Sequence, residues 1–135
     1  MKYSVRFRPE AETEVGAAFN WYEQKRQGLG ARFLDELDRA LRDVVRAPGK
    51  SPLIARRTRR VFLRGFPYFA FYVVDANRVV ITGCFHGHRN PNVWSDRVQE
   101  TAITYGPDGF GVERQPNPLM QTDVGFASTV NQPNR

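Results

Sequence analysis

The chain has 135 residues, of which 41% are hydrophobic and 25% charged, with a net charge of +6. That is enough for one ordinary domain and short for two. No stretch approaches the roughly 20 apolar residues that span a bilayer, the N-terminus lacks an apolar core of signal-peptide length, and the only cysteine, Cys84, rules out an intrachain disulfide; the expectation is a cytoplasmic protein with no membrane partner.

Tyr3, Val5 and Phe7 alternate with Ser4, Arg6 and Arg8, the period of a strand with one apolar face. Pro9 suits the first turn of a helix, and Glu10, Glu12 and Glu14 place negative charge at the positive end of its dipole. Ala11, Val15, Ala18 and Tyr22 fall at helical spacing, with Phe19 widening the stripe, and predict a helix from about Pro9 to Gln24. Gln27-Gly28-Leu29-Gly30 reads as a short turn. Phe33, Leu37, Leu41 and Val44 form a second stripe, ended by Ala47-Pro48-Gly49. So short a turn makes the two helices antiparallel, and neither can hide its stripe without a sheet to pack on.

Three strands are expected next: Arg60–Arg64, Tyr68–Val74 and Arg78–Phe85. The connections Gly65-Phe66-Pro67 and Asp75-Ala76-Asn77 suit antiparallel hairpins. The order gives an α+β domain: an N-terminal strand and an antiparallel helix hairpin packed on a small antiparallel sheet of three to four strands. Asn92–Val98 is expected to add one short helical turn. From about Gln99 patterning fails among Pro107, Pro116, Pro118 and Pro133, so the domain is expected over residues 1–98, with 99–135 a disordered or loosely docked tail. Ile103-Thr104-Tyr105 could pair as an edge strand.

The positive charge belongs to the first part. Residues 1–98 hold 18 Lys+Arg and 10 Asp+Glu, giving +8, and residues 99–135 hold 2 and 4, giving −2. An acidic partner is expected there: a nucleic acid, an acidic protein surface or an acidic inhibitor peptide. The segment Lys50–Arg64 carries Lys50, Arg56, Arg57, Arg59, Arg60 and Arg64 with no acidic residue. On a strand Arg60, Phe62 and Arg64 share the outer face. Such a patch could hold phosphates or an acidic surface, or only guard an edge strand against aggregation.

After the β-branched run Val79-Val80-Ile81-Thr82 comes Phe85-His86-Gly87-His88-Arg89-Asn90-Pro91, which puts two histidines and an arginine where a strand leaves the sheet. His86 and His88 are spaced for a metal pair, but with no third histidine and one cysteine a zinc site lacks ligands. They are better placed as acid/base groups, and Arg89 to hold a phosphate or carboxylate. Trp94 reads as a core anchor, and Arg97 either pairs with an acid or extends the basic patch. Trp21-Tyr22-Glu23 and Phe66-Pro67-Tyr68 read as structural, the aromatics closing the hairpin over the sheet and Glu23 pairing with a nearby Arg. No Walker glycine loop, GxSxG elbow or HExxH helix is present, which removes the common motif-bearing enzymes, and no organic cofactor is indicated.

Taken in order over residues 3–98, Trp21-Tyr22-Glu23, Gly28-Leu29-Gly30, Phe33, Phe66-Pro67-Tyr68, Tyr72, His86, His88, Arg89, Pro91, Trp94 and Arg97 resemble the RelE/ParE superfamily of bacterial type II toxins. The ParE-like branch, the plasmid stabilisation proteins, is the better match. The resemblance implies a helix hairpin on a small antiparallel sheet and a toxin neutralised by a cognate antitoxin. A flexible antitoxin segment would fold over the basic groove, giving a hetero-oligomer, and a homodimer is also open. ParE-like members act on DNA gyrase by protein–protein contact and are not ordinary enzymes. RelE-like members cut mRNA on the ribosome without a metal: the 2′-hydroxyl attacks the adjacent phosphate while basic side chains position and stabilise it.

For that chemistry the candidates are Arg57, Arg60, Arg64, His88 and Arg89. In a non-nuclease the same five become target contacts, and Arg56, Arg59, His86 and Arg97 are the candidates for holding target or antitoxin. Two departures favour the ParE-like branch: arginines stand where RelE-like nucleases tend to use lysines, and no tyrosine follows Trp94 until Tyr105. A third possibility is a relative that binds antitoxin but has lost toxicity.

Overall fold

A computed structural model describes residues 3–87, 91–105 and 121–122. Two expected site residues, His88 and Arg89, lie outside the described residues, as do 106–120 and 123–135 of the expected tail. The elements run β1 (Ser4–Phe7), α1 (Pro9–Lys25), α2 (Leu29–Arg46), β2 (Arg59–Phe62), β3 (Tyr68–Asp75), β4 (Arg78–His86), α3 (Pro91–Tyr105) and β5 (Gln121–Thr122). The strands form one sheet in the order β2-β3-β4-β1-β5.

The helix hairpin forms as its sequence predicts. Ala11, Val15, Ala18, Phe19 and Tyr22 of α1 and Phe33, Leu37, Leu41 and Val44 of α2 are all buried against Val5, Phe7, Ala70, Tyr72, Val79 and Ile81 of the sheet. The turn is tighter than the Gly-Leu-Gly run suggests, because Leu29 and Gly30 already belong to α2. Gly28 takes the left-handed conformation at φ 90°, which a Cβ would disfavour.

The sheet is mixed rather than antiparallel. β2–β3 and β3–β4 are antiparallel hairpins, as expected, but β1 lies parallel to β4, with Val5 opposite Val79 and Phe7 opposite Ile81. No turn joins these two strands; the helix hairpin and two other strands intervene, so nothing forces the antiparallel sense. β5 adds antiparallel to β1. The α+β class and N-terminal strand stand.

The second difference is α3. It is not one turn at Asn92–Val98 but a helix of 15 residues, so the boundary expected at residue 98 falls inside it and Ile103-Thr104-Tyr105 is helical. α3 covers the sheet face opposite the hairpin. Trp94 and Val98 pack on Phe69, Phe71 and Phe85, and Tyr105 packs on Val73 and Val80. β3 and β4 are thus covered on both faces, which explains their nearly continuous apolar sequence.

Candidate functional site

Five rings scattered through the sequence meet at one end of the helix hairpin. Tyr22 stacks on Phe33 at 5.6 Å between centroids and meets Phe66 edge-on at 4.9 Å. Tyr68 stands 5.1 Å from Phe33 and 5.2 Å from the His86 imidazole. Edge-to-face and offset pairs of this kind add to the area they bury. Glu23 fixes the turn below them, accepting hydrogen bonds from the backbone N–H of Gly28 and Gly30, both at 2.9 Å. A carboxylate at the start of α2 also suits the helix dipole.

Trp21 does not close this cluster. It is 53% exposed, edge-on to Tyr22 and beneath the Lys25 ammonium at 4.6 Å. Beside it a groove of about 810 Å³ runs between α1 and the end of β4, with Ala17 and Ala18 on one side and Tyr68, Phe85 and His86 on the other. His86 therefore lies on the hairpin side of the sheet.

Glu14, which also lines the groove, is paired with Arg97 of α3. Opposite β3, Phe71 faces Gly83 and Tyr72 faces Ile81, leaving Thr82 as an extra residue. Such a bulge re-aims the strand beyond it. β1 stops level with Ile81, whose carbonyl accepts the Arg8 N–H at 2.9 Å, so beyond that point β4 has no strand on this side among the described residues. Two side chains take its place. Glu14 Oε1 accepts the Cys84 N–H at 3.0 Å, and Arg97 Nη1 donates to the Thr82 carbonyl at 3.0 Å. The two then pair in a fork, Nη2–Oε2 at 2.8 Å and Nη1–Oε1 at 3.1 Å, while the guanidinium lies over the Phe85 ring at 5.2 Å. Burial is the largest influence and opposes the Arg97 charge, but the Glu14 hydrogen bond and the charges of Glu14, Glu10 and Glu100 together outweigh it and the guanidinium pKa rises. Burial, with the Glu14 charge second, also pushes the Cys84 thiol up. It is an inert buried thiol rather than a nucleophile.

The basic segment does not form one patch. Arg57 donates to the Val74 carbonyl, tying its own segment to β3, and Arg59 donates to the Gly49 carbonyl at 3.0 Å and to that of Ser51, fastening the 47–53 loop to β2. Tyr72 Oη adds a bond to the Pro48 carbonyl at 2.7 Å. Arg60 faces the other side, its guanidinium over the rings of Phe62 and Phe69. Arg56 and Arg64 are exposed. Of the nine expected site residues, the structure brings Arg57 and Arg59 together, seats His86 in the aromatic cluster, commits Arg97 to Glu14 and sets Arg60 apart. Sequence reading singled out neither Glu14 nor the exposure of Trp21; the pairing of Glu14 with residues 70 and 83 positions away left no local signal. Among the described residues no group of three or more His, Cys, Asp or Glu side chains could hold a metal ion, and no helix is long and apolar enough to cross a membrane.

A hairpin of helices on a mixed sheet, with an aromatic end, an adjoining groove and arginines on both sheet faces, defines a small basic α+β protein. The family model for the ParE toxin of the type II toxin-antitoxin system parDE matches residues 5–91. The chain belongs to the ParE toxin family. Solved structures agree on the fold. A chain of the chromosomal ParDE toxin–antitoxin system from P. aeruginosa superposes with a TM-score of 0.56 at 12% identity, covering 63% of this chain and 96% of that one. A mutant of the E. coli toxin RelE in the free state gives 0.50 at 17% identity, covering 74% and 98%. No curated protein is matched.

Proposed function

We propose that this chain is the toxin of a type II toxin–antitoxin pair, that a cognate antitoxin neutralises it in a hetero-oligomer, and that it acts in the cytoplasm on DNA gyrase by protein–protein contact. Family membership supports the toxin role. The observation that carries the choice of target is the dispersal of the described basic groups. Metal-free RNA cleavage needs several cations converging on one phosphate. Here Arg57 and Arg59 bond backbone carbonyls near the 47–53 loop, Arg60 lies on the opposite sheet face and Arg97 is held by Glu14. A contact surface has no such requirement. Trp21, half-exposed beside a preformed groove, is the type of side chain that dominates protein interfaces.

The test is supercoiling by purified gyrase in the presence of the full chain. The expected result is inhibition with accumulation of cleaved DNA, weakened about tenfold or more by Trp21→Ala. Unimpaired gyrase at excess toxin, together with cutting of ribosome-bound mRNA, contradicts the reading.

A further inference from the structure

Arg60 differs from its neighbours. The guanidinium groups of Arg57 and Arg59 bond carbonyls, whereas the Arg60 side chain has no hydrogen bond or ion pair among the described residues, and its Nε, like that of Arg57, is buried without a partner. Its guanidinium lies 4.9 Å from the ring centre of Phe62 and 5.3 Å from that of Phe69. Phe62 sits on the edge strand β2 and is 60% exposed, against 2% for Phe69. A partly buried cation without a counter-charge is costly, and ring contacts offset only part of that cost. The free donors of Arg60 suit an anion brought by a ligand. No acidic residue lies between Lys50 and Arg64 to supply one, and Arg56 and Arg64 are exposed on the same segment.

We propose that Arg60 and Phe62 form a binding site for single-stranded nucleic acid, with Phe62 stacking on a base and Arg60 holding the neighbouring phosphate. Exposed rings beside cations are how proteins bind single strands without reading sequence. An acidic peptide would also satisfy Arg60 but would leave the open Phe62 face without a matching group; a nucleotide uses both. The site does not read the sugar. The rings make no hydrogen bond to a 2′-hydroxyl, and the guanidinium, the one donor group of the pair, is committed to the phosphate, so DNA and RNA strands should bind alike. This inference does not rest on the gyrase reading, and the variants below can be assayed against gyrase separately.

The experiment is fluorescence anisotropy of labelled twelve-nucleotide oligo-dT and oligo-U strands with the full chain, over a series of salt concentrations. Both strands are expected to bind within a few-fold of one another. Phe62→Leu should weaken both by about tenfold or more with the salt slope unchanged, and Arg60→Gln should weaken both and flatten the slope by about one. Because Phe62 is exposed, Phe62→Leu should melt like the parent, which circular dichroism checks. Unchanged binding by Phe62→Leu overturns the stacking site. So does failure of both strands to bind while an acidic peptide binds through the same two residues. A tenfold or larger preference for RNA contradicts the indifference to the sugar.

Discussion

At the residue scale, Glu14 joins three elements that are distant in sequence. From α1 it holds the Cys84 N–H of β4 and the Arg97 guanidinium of α3, and with Arg97 it completes the strand edge that β1 leaves open. Both side chains are mostly buried, 23% and 19% exposed, so removing either leaves the other's charge and one backbone group short of a partner. Glu14→Ala and Arg97→Ala are each expected to cost about 2 kcal/mol or more in urea denaturation. The double variant should cost clearly less than the sum, because it leaves no orphaned charge. Additive costs would mean that the pair contributes little as a unit. Sequence reading left Arg97 open between an acidic partner and the basic patch, and its partner could not be named because the bulge at Thr82 decides which backbone groups face outward. The arginines of the basic segment show a similar limit. Their count was legible, but adjacent residues on a strand point to opposite faces, and which carbonyl each finds is set by distant chain, Val74 of β3 for Arg57 and the 47–53 loop for Arg59.

At the element scale, the helix hairpin was legible almost to the residue, because two apolar stripes and a glycine turn are local signals. Gly30 shows why the turn tolerates little else. A Cβ there would lie 2.7 Å from the Phe19 carbonyl oxygen and 2.9 Å from Glu23 Oε1, inside the contact that holds α1 against α2 and beside the bonds that cap the turn. Gly30→Ala is expected to destabilise the chain by about 1–3 kcal/mol, although alanine is the better helix former. A thermal melt checks the sign, and a stabilised variant would show that the helices have room to separate. α3 was far less legible. Its contact stripe is Trp94, Val98, Thr101 and Tyr105, in which buried Thr101 interrupts the apolar pattern by turning its hydroxyl back to the Arg97 carbonyl at 2.8 Å. The parallel placement of β1 was illegible for a different reason: it is set by packing across more than 70 residues of chain, and period-two patterning carries no direction.

At the scale of the whole molecule, the hairpin, sheet and α3 form three layers, and the two surfaces described lie on different sides of the sheet. The aromatic end with Trp21 and its groove belongs to the hairpin side; Arg60 and Phe62 belong to the edge beside α3. The motif residues Tyr22, Phe33, Phe66, Tyr68 and His86 converge on the first of these, so residues that look dispersed in the sequence mark one place in the fold. This separation allows the chain to meet a protein partner on one side without occluding the other. The most direct test is pulse labelling of DNA and protein synthesis immediately after the chain alone is induced in a bacterial host. An early fall in DNA synthesis, with protein synthesis following later, is the expected result. An early fall in protein synthesis with DNA synthesis intact would contradict gyrase as the target.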